Sequence, residues 1–260
     1  MYVSVDFGGT NTRVVGSENI DEPIFIDEPL RHHNTQKYED DLNTMIDSIS
    51  KVAAGKTIEA IGLATPGVPN VEKTQIESAT NIPQWNNKPL VLPLSEKFGC
   101  TVYYENDAVA AGLGEAYYGG QINDDFHYIV WGTGIGGASV EHVNNQLKAT
   151  KLFWKTHFRV WEKDCSGASL TRFYKTLPEI FDDAQWLEIN SKFHEHLQEY
   201  VYLFKPGAII LGGGLSVKNA AYIQNANEIN GTKIFLSKFG NDDGLMGGFG
   251  IIKHSFLLLK

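Results

Sequence analysis

Asp107, in the stretch YYENDAVAAG, is a carboxylate well placed to exchange a proton. It falls between a strand pattern and a helix pattern, so it would lie in the first helical turn, where the helix dipole favours negative charge. Such a carboxylate can accept a proton from a hydroxyl group. An N-cap aspartate is the structural alternative, because aspartate is common at such a junction. The neighbouring motifs favour the catalytic interpretation.

Three glycine-rich turns each follow a strand pattern: VDFGGTNT, VWGTGIGGA and ILGGGLS. Glycine lets the backbone approach a ligand closely, so that consecutive N–H groups can converge on phosphate oxygens. Hydroxyl groups at Thr10, Thr12 and Thr133 add further donors. Together the turns predict a nucleoside triphosphate site, whereas simple tight turns are the structural alternative.

Asp6 stands directly before the first glycine turn. A carboxylate beside donors that bind an anion would repel that anion unless a cation lay between them. Mg²⁺ is usually held by one or two carboxylates together with substrate phosphates. Asp6 is therefore predicted to contact Mg²⁺ on the nucleotide phosphates.

Two other nucleotide motifs are disfavoured. GTGIGG has the spacing of a dinucleotide-binding loop, but the ASVEHV that follows alternates like a strand, whereas that loop should open a helix. None of the three turns ends in the G-K-[ST] of a P-loop. A nicotinamide dehydrogenase is thus a weaker alternative than an ATP-binding protein.

Composition excludes further classes. The net charge of −9 over 260 residues argues against nucleic acid as a partner. Cys100 and Cys165 lie far apart and outside any CxxC motif, so no structural zinc is expected. No apolar run is long enough to span a membrane, and we expect a soluble, cytoplasmic protein. The sequence leaves the assembly state open, with a homodimer as one option.

The elements around these residues suggest two α/β lobes. MYVSVDF and TNTRVVG predict a β-hairpin, and FHYIVWGTGIGGASVEHV repeats that design later in the chain. Residues 71–90 are predicted to form a long functional loop, residues 144–165 show no clean period, and the apolar C-terminus predicts a docked helix. We expect a small lobe of residues 1–110 plus 246–260 and a large lobe of residues 111–245.

Seven motifs together resemble the ROK family of sugar kinases and repressors, within the actin-like ATPase superfamily. They are DFGGTNTR, GLATPGVPN, ATNIPQW, ENDAVAAGLGEAYYG, VWGTGIGGA, ILGGGLS and GLMGGFG. The resemblance implies an α/β, two-lobed actin-like ATPase (ribonuclease H-like) fold with an interlobe cleft. It also implies ATP-dependent phosphorylation of a hexose, such as glucose, mannose or an N-acetylated hexosamine, at the 6-hydroxyl.

The resemblance further implies roles for individual residues. Asp107 resembles the general base, and ATP with Mg²⁺ is the implied cosubstrate. The residues resembling ATP-binding positions are Gly8, Gly9, Thr10, Thr12, Gly132, Thr133, Gly134, Gly212, Gly213 and Gly214. Those resembling sugar-binding positions are Gly67, Asn81, Asn106, Asp107, His157 and Glu162.

The sequence departs from the family pattern in KATKLFWKTHFRVWEKDCSGASL. The family's zinc-binding cysteine cluster is absent, and Lys151, Trp154 or Lys155 stands where a sugar-binding glutamate is expected. Fewer charge-assisted hydrogen bonds to the sugar imply weaker affinity or a changed substrate. The alternative is a catalytically weak protein that senses sugar or nucleotide. Family repressors carry an added DNA-binding segment before the first strand, so we do not expect DNA binding here.

Overall fold

The computed structural model describes residues 1–144, 146–152 and 157–259. The strands are β1 (Tyr2–Phe7), β2 (Asn11–Ser17), β3 (Leu30–His33), β4 (Ala60–Thr65), β5 (Val68–Pro69), β6 (Ile76–Ser78), β7 (Thr101–Asn106), β8 (Phe126–Trp131), β9 (Ile135–Val143), β10 (Gln146–Lys151), β11 (Ala208–Gly212), β12 (Glu228–Ile229) and β13 (Thr232–Leu236). The α-helices are α1 (Tyr38–Ala53), α2 (Val91–Phe98), α3 (Asp107–Gly114), α4 (His157–Cys165), α5 (Gly167–Tyr174), α6 (Asp183–Phe204), α7 (Gly214–Lys218), α8 (Ala220–Asn225) and α9 (Asp243–Leu258).

The chain divides into two compact units. Unit 1 comprises Met1–Gly120 and Asp242–Lys260, and unit 2 comprises Gln121–Asn241. The first boundary therefore falls after Gly120, not after residue 110 as expected, because α3 and the π-helical turn Glu115–Gly119 that follows it pack on α9 within unit 1. The predicted small lobe is the larger of the two units.

Unit 1 is built on a mixed sheet with the strand order β3-β2-β1-β4-β7. The predicted hairpin is present, since β1 pairs antiparallel with β2. In contrast, β1, β4 and β7 are parallel neighbours, so their carboxyl ends share one edge of the sheet. The alternating side chains of β1 place Val3, Val5 and Phe7 fully in the core on one face.

Unit 2 repeats this arrangement in the order β10-β9-β8-β11-β13-β12. The hairpin β8–β9 is antiparallel, and β8, β11 and β13 run parallel to one another. The core packs Trp131 of β8 on Phe193 of α6, with stacked rings 3.7 Å apart between centroids. The internal duplication seen in the sequence is thus a duplication of sheet topology.

Two stretches are more regular than their sequences indicate. The predicted loop 71–90 contains β6 and a 3₁₀ helix at Pro83–Trp85, because Ile76, Ile82 and Trp85 are fully buried and anchor it. Within 144–165, β10 pairs with β9, and α4 buries Phe158, Trp161 and Cys165. These aromatic anchors make one face of α4 apolar.

The C-terminal apolar stretch forms a docked helix, as predicted. It is α9, which packs on α3 and on the strands β1 and β4 of unit 1. In the part of the chain that the structure describes, no helix combines the length and the apolar character needed to cross a membrane.

Candidate functional site

The first glycine turn joins β1 to β2 and is closed by a hydrogen bond from the Gly8 amide to the Asn11 carbonyl at 2.9 Å. Asn34, just after β3, holds this turn from one side. Its Nδ2 donates to the Gly8 carbonyl at 2.7 Å, and its backbone amide donates to the Thr10 carbonyl at 2.9 Å. Gln36 Nε2 donates to the remaining carbonyl, that of Gly9, at 3.3 Å.

This support orients the amides of the turn. In a trans peptide the N–H points opposite to the carbonyl of the preceding residue. Because the carbonyls of Gly8, Gly9 and Thr10 all bond to the segment 34–36, the N–H groups of Gly9, Thr10 and Asn11 point away from that segment. Successive outward N–H groups are the arrangement that binds an anion such as phosphate.

Thr12 belongs to the support and not to the outward surface. Its side chain is fully buried, and its hydroxyl donates to Asn34 Oδ1 at 2.7 Å. Thr10, in contrast, is exposed. The predicted ATP contacts of this turn are therefore better placed at Gly9 and Thr10 than at Thr12.

Replacing Asn34 with alanine is expected to loosen the first glycine turn. The change removes the side-chain bonds to Gly8 and Thr12, and each bond contributes about 0.5–1.5 kcal/mol. We expect the Kd of an ATP analogue to rise by about 10-fold, corresponding to about 1.4 kcal/mol, measured by isothermal titration calorimetry. The matched control is Asn19→Ala, which removes a surface asparagine whose side chain accepts from the nearby Asp21 amide at 2.8 Å. An unchanged Kd in Asn34→Ala would contradict this role.

Asp6 forms an ion pair with Arg13, a residue of the neighbouring strand β2. Arg13 Nη2 and Nε donate to Asp6 Oδ2 at 2.7 and 3.1 Å, and Arg13 Nη1 donates to Asp242 at 3.0 Å. The hairpin register itself could have shown this pair, because Asp6 lies opposite Arg13 across β1 and β2.

The surroundings of Asp6 fit a magnesium ion held mainly by phosphates. Arg13 engages only Oδ2, and among the described residues Oδ1 accepts no hydrogen bond. Mg²⁺ needs only one or two protein carboxylates when phosphates and water complete its octahedron. Over residues 1–144, 146–152 and 157–259, no group of three or more His, Cys, Asp or Glu side chains could hold a metal by itself.

The catalytic candidate Asp107 is the first residue of α3, directly after β7. The N-cap of α3 is Asn106, whose Oδ1 accepts from the Ala108 amide at 3.2 Å. Asp107 Oδ1 accepts from the same amide at 2.9 Å. Asn106, and not Asp107, is therefore the N-cap of α3. Asp107 lies in the first turn, where the helix dipole favours a negative side chain.

Asn106 also organises the loop that contains Gly67. Its Nδ2 donates to the Gly67 carbonyl at 2.8 Å, so both polar atoms of this predicted sugar ligand are engaged within the protein. Gly67 has φ of +98°, and an added Cβ would lie 2.6 Å from the Cβ of Ala79. Only glycine suits this position, because both the backbone conformation and the close approach exclude a side chain.

Neighbouring side chains at the end of β7 support the same region. Glu105, which is 9% exposed, pairs with Lys73 and accepts a hydrogen bond from the Asn106 amide at 3.2 Å. Burial raises the pKa of Tyr104 to about 12. This phenol therefore stays protonated at neutral pH, and the Glu105 carboxylate is paired with Lys73, so Asp107 is the candidate base at this end of β7.

The structure brings Asn81 to the first glycine turn. An added Cβ on Gly9 would lie 3.2 Å from the Cβ of Asn81, so the two residues are in contact. Asn81 is exposed and was predicted to bind sugar, whereas Gly9 was predicted to bind phosphate. The contact places the predicted phosphate-binding residue next to the predicted sugar-binding residue within unit 1. Transfer of a phosphoryl group to a sugar requires that the two ligands lie close together.

The second glycine turn, in unit 2, is supported by α5. The amides of Gly167 and Ala168 donate to the carbonyls of Gly132 and Thr133 at 2.8 and 3.0 Å. By the same trans-peptide argument, the N–H groups of Thr133 and Gly134 point away from α5. Both phosphate candidates thus use one design, in which a neighbouring segment holds the carbonyls and turns the amides outward.

Glu162 lies against this second turn. Its Oε1 accepts from the Ile135 amide at 3.3 Å, and an added Cβ on Gly134 would lie 2.7 Å from the same oxygen. Glu162 therefore contacts a predicted phosphate position. His157 is the first residue of α4, but its side chain is not among the described ones. Trp154 and Lys155 lie outside the described residues altogether.

The third glycine turn follows β11. Gly213 has φ of +89°, and an added Cβ would lie 2.6 Å from the Trp131 carbonyl oxygen, so this position requires glycine. Gly212 is buried, and its carbonyl accepts from the Ser216 hydroxyl at 2.8 Å. Gly214, the first residue of α7, is the exposed member of the turn.

In each unit the predicted residues follow parallel strands of one sheet. In unit 1, the first glycine turn, Gly67 and Asp107 follow β1, β4 and β7, which are adjacent. In unit 2, the second and third turns follow β8 and β11, also adjacent. The carboxyl ends of parallel strands are where open α/β sheets bind ligands.

Known proteins share both the sequence and the fold. The glucokinase of Thermotoga maritima is 33% identical over 141 residues, which is 54% of this chain but only 44% of that protein. The N-acetyl-D-glucosamine kinase of Haemophilus influenzae is 26% identical in an alignment of 272 positions, gaps included, that covers 87% of each chain. The structure of a ROK family glucokinase from Streptomyces griseus, determined in complex with glucose and AMPPNP, has a TM-score of 0.76 at 21% identity and covers 95% of this chain and 97% of that one.

These comparisons confirm the predicted α/β fold of the actin-like ATPase type. The sequence model of the ROK family matches residues 2–149, which include the first two glycine turns and Asp107. The match covers more than half of the chain. This chain is therefore a member of the ROK family.

Proposed function

We propose that this protein transfers the γ-phosphoryl group of ATP to the 6-hydroxyl of a hexose, such as glucose, mannose or an N-acetylated hexosamine. The observation that carries the proposal is the shared sheet edge of unit 1. There the outward amides of the first glycine turn, the Gly67 loop and Asp107 follow three adjacent parallel strands. The relatives named above include a glucokinase and an N-acetyl-D-glucosamine kinase, which supports this substrate class.

Phosphoryl transfer needs positioning and charge stabilisation more than covalent chemistry. The outward N–H groups of Gly9 and Thr10 would donate to phosphate oxygens. The N–H groups of Thr133 and Gly134 form a second candidate phosphate-binding turn, in unit 2. The side chain of Asn81 offers both donors and an acceptor to sugar hydroxyls. Asp107 would accept the proton of the attacking hydroxyl. Mg²⁺, with Asp6 as its protein contact, would supply charge neutralisation when bound.

The test is ADP release with Mg-ATP and a panel of glucose, mannose, N-acetylglucosamine and N-acetylmannosamine. We expect at least one sugar to raise ADP release above the sugar-free background and to yield a 6-phosphate, identified by mass spectrometry and NMR. Calorimetric binding of sugar and AMPPNP with no sugar-dependent ADP release would reject the kinase and favour the sensing alternative.

A further inference from the structure

Asp41 is a buried carboxylate that the proposed mechanism does not use. It lies in the first turn of α1 and is only 2% exposed. Aspartate is almost never fully buried unless its oxygens are paired or hydrogen-bonded. The partners of Asp41 are hydrogen-bond donors from two separate segments of unit 1, and each segment serves one carboxylate oxygen.

The first segment is the one that supports the first glycine turn. Asp41 Oδ1 accepts from the Thr35 amide at 2.5 Å and from the Thr35 hydroxyl at 2.9 Å. Thr35 stands between Asn34 and Gln36, the two residues that hold the carbonyls of the turn. The position of Asp41 therefore fixes the segment that turns the phosphate-binding amides outward.

The second segment is the 3₁₀ helix that follows Asn81. Asp41 Oδ2 faces Gln84 Nε2 and Trp85 Nε1, each at 3.5 Å. Trp85 is fully buried and packs edge-to-face on Phe7, with ring centroids 4.9 Å apart. Phe7 directly precedes the first glycine turn. Trp85 therefore contacts both the Asp41 carboxylate and the strand residue that leads into that turn.

We propose that Asp41 is a positioning residue that couples the phosphate-binding turn to the sugar-binding loop, so that a bound hexose raises the affinity for ATP. The inference rests on the ligand roles proposed above for Gly9 and Asn81. A displacement of either segment breaks hydrogen bonds of a buried carboxylate, so the two segments are held in one mutual arrangement. By thermodynamic reciprocity, bound ATP raises the affinity for the hexose by the same factor.

Asp41→Asn tests this coupling with little change of volume. The Thr35 backbone amide on one side and the Trp85 indole on the other can only donate, so the new amide nitrogen faces a donor-only group however the side chain is turned. The measurement is the Kd of AMPPNP, with and without a saturating amount of the hexose that binds most tightly in calorimetry. We expect a ratio of at least about 5 in the wild-type protein. In Asp41→Asn we expect that ratio to fall at least about threefold.

Asp40→Asn is the matched control. Asp40 is the adjacent residue of α1, and its carboxylate makes a surface ion pair with Lys37 at 3.7 Å. It should keep the wild-type ratio. Thr35→Val is a second test variant at an exposed position, and it removes one donor to Asp41 Oδ1. It should also lower the Kd ratio. This variant keeps the proposal testable if Asp41→Asn fails to fold.

Two results would overturn the proposal. One is a wild-type Kd ratio of 1. The other is a variant that loses thermal stability without ligand but keeps the wild-type ratio, since that marks a purely structural role. The experiment measures binding of a non-hydrolysable nucleotide, so its result does not depend on whether the ADP-release assay detects turnover. A protein that binds both ligands without turnover would still show whether Asp41 couples the two segments.

Discussion

Asp107→Asn is expected to lower kcat for sugar-dependent ADP release by about 10²- to 10⁴-fold, the usual contribution of a positioned general base. The asparagine keeps the size of the side chain, and the oxygen that accepts from the Ala108 amide at 2.9 Å can be retained. Because Asn106 caps α3, the helix should still begin at residue 107. The loss should therefore appear in kcat, with the Kd of AMPPNP changed less than about threefold, corresponding to about 0.65 kcal/mol.

The control for this experiment is Asp47→Asn on the exposed face of α1, which makes the same chemical change at a surface position. It should retain wild-type kcat. A kcat in Asp107→Asn within tenfold of the wild-type value would show that another group accepts the proton. Tyr104 is a poor candidate for that role, because burial raises its pKa to about 12.

The sequence predicts the strand-and-turn framework of the site because that information is local. A strand pattern that ends in glycines identifies the turns after β1, β8 and β11 within a few residues. The repeated hairpin predicts the duplicated sheet order for the same reason. Asp107 is a candidate from the sequence because it stands at a strand-to-helix junction among glycine-rich motifs, whereas its position alone fits an N-cap aspartate equally well.

The residues that hold the site in place cannot be predicted from such local patterns. Asn34 and Asp41 are ordinary residue types in a polar stretch, and their partners lie in other elements. Their roles follow from how β3 and α1 pack on the first hairpin, which only the fold defines. Two residues that resemble family binding positions make contacts that the resemblance does not indicate: the Thr12 hydroxyl supports the first glycine turn, and Glu162 contacts the second one.

The glycines of GLMGGFG have a structural reason that the motif alone does not give. On β4, Gly62 packs directly on the backbone of Gly248 in α9, so an added Cβ would overlap the Gly248 carbonyl oxygen. The Ser4 hydroxyl donates to the Leu245 carbonyl at 2.6 Å and fixes the same helix on β1. The contact between sheet and helix is thus backbone against backbone, and no side-chain rotation can relieve an added atom.

Gly62→Ala is therefore expected to lower the free energy of unfolding by about 3 kcal/mol, the upper part of the range for overpacked cores. The sheet and α9 would have to separate, and α9 also packs on α3, which begins at Asp107. Guanidinium unfolding followed by circular dichroism measures the loss. The control is Gly136→Ala on β9, where an added Cβ meets nothing within 4 Å and the unfolding midpoint should not fall. An unchanged midpoint in Gly62→Ala would mean that α9 can move outward at little cost, and the position of α3 would then not depend on this close contact.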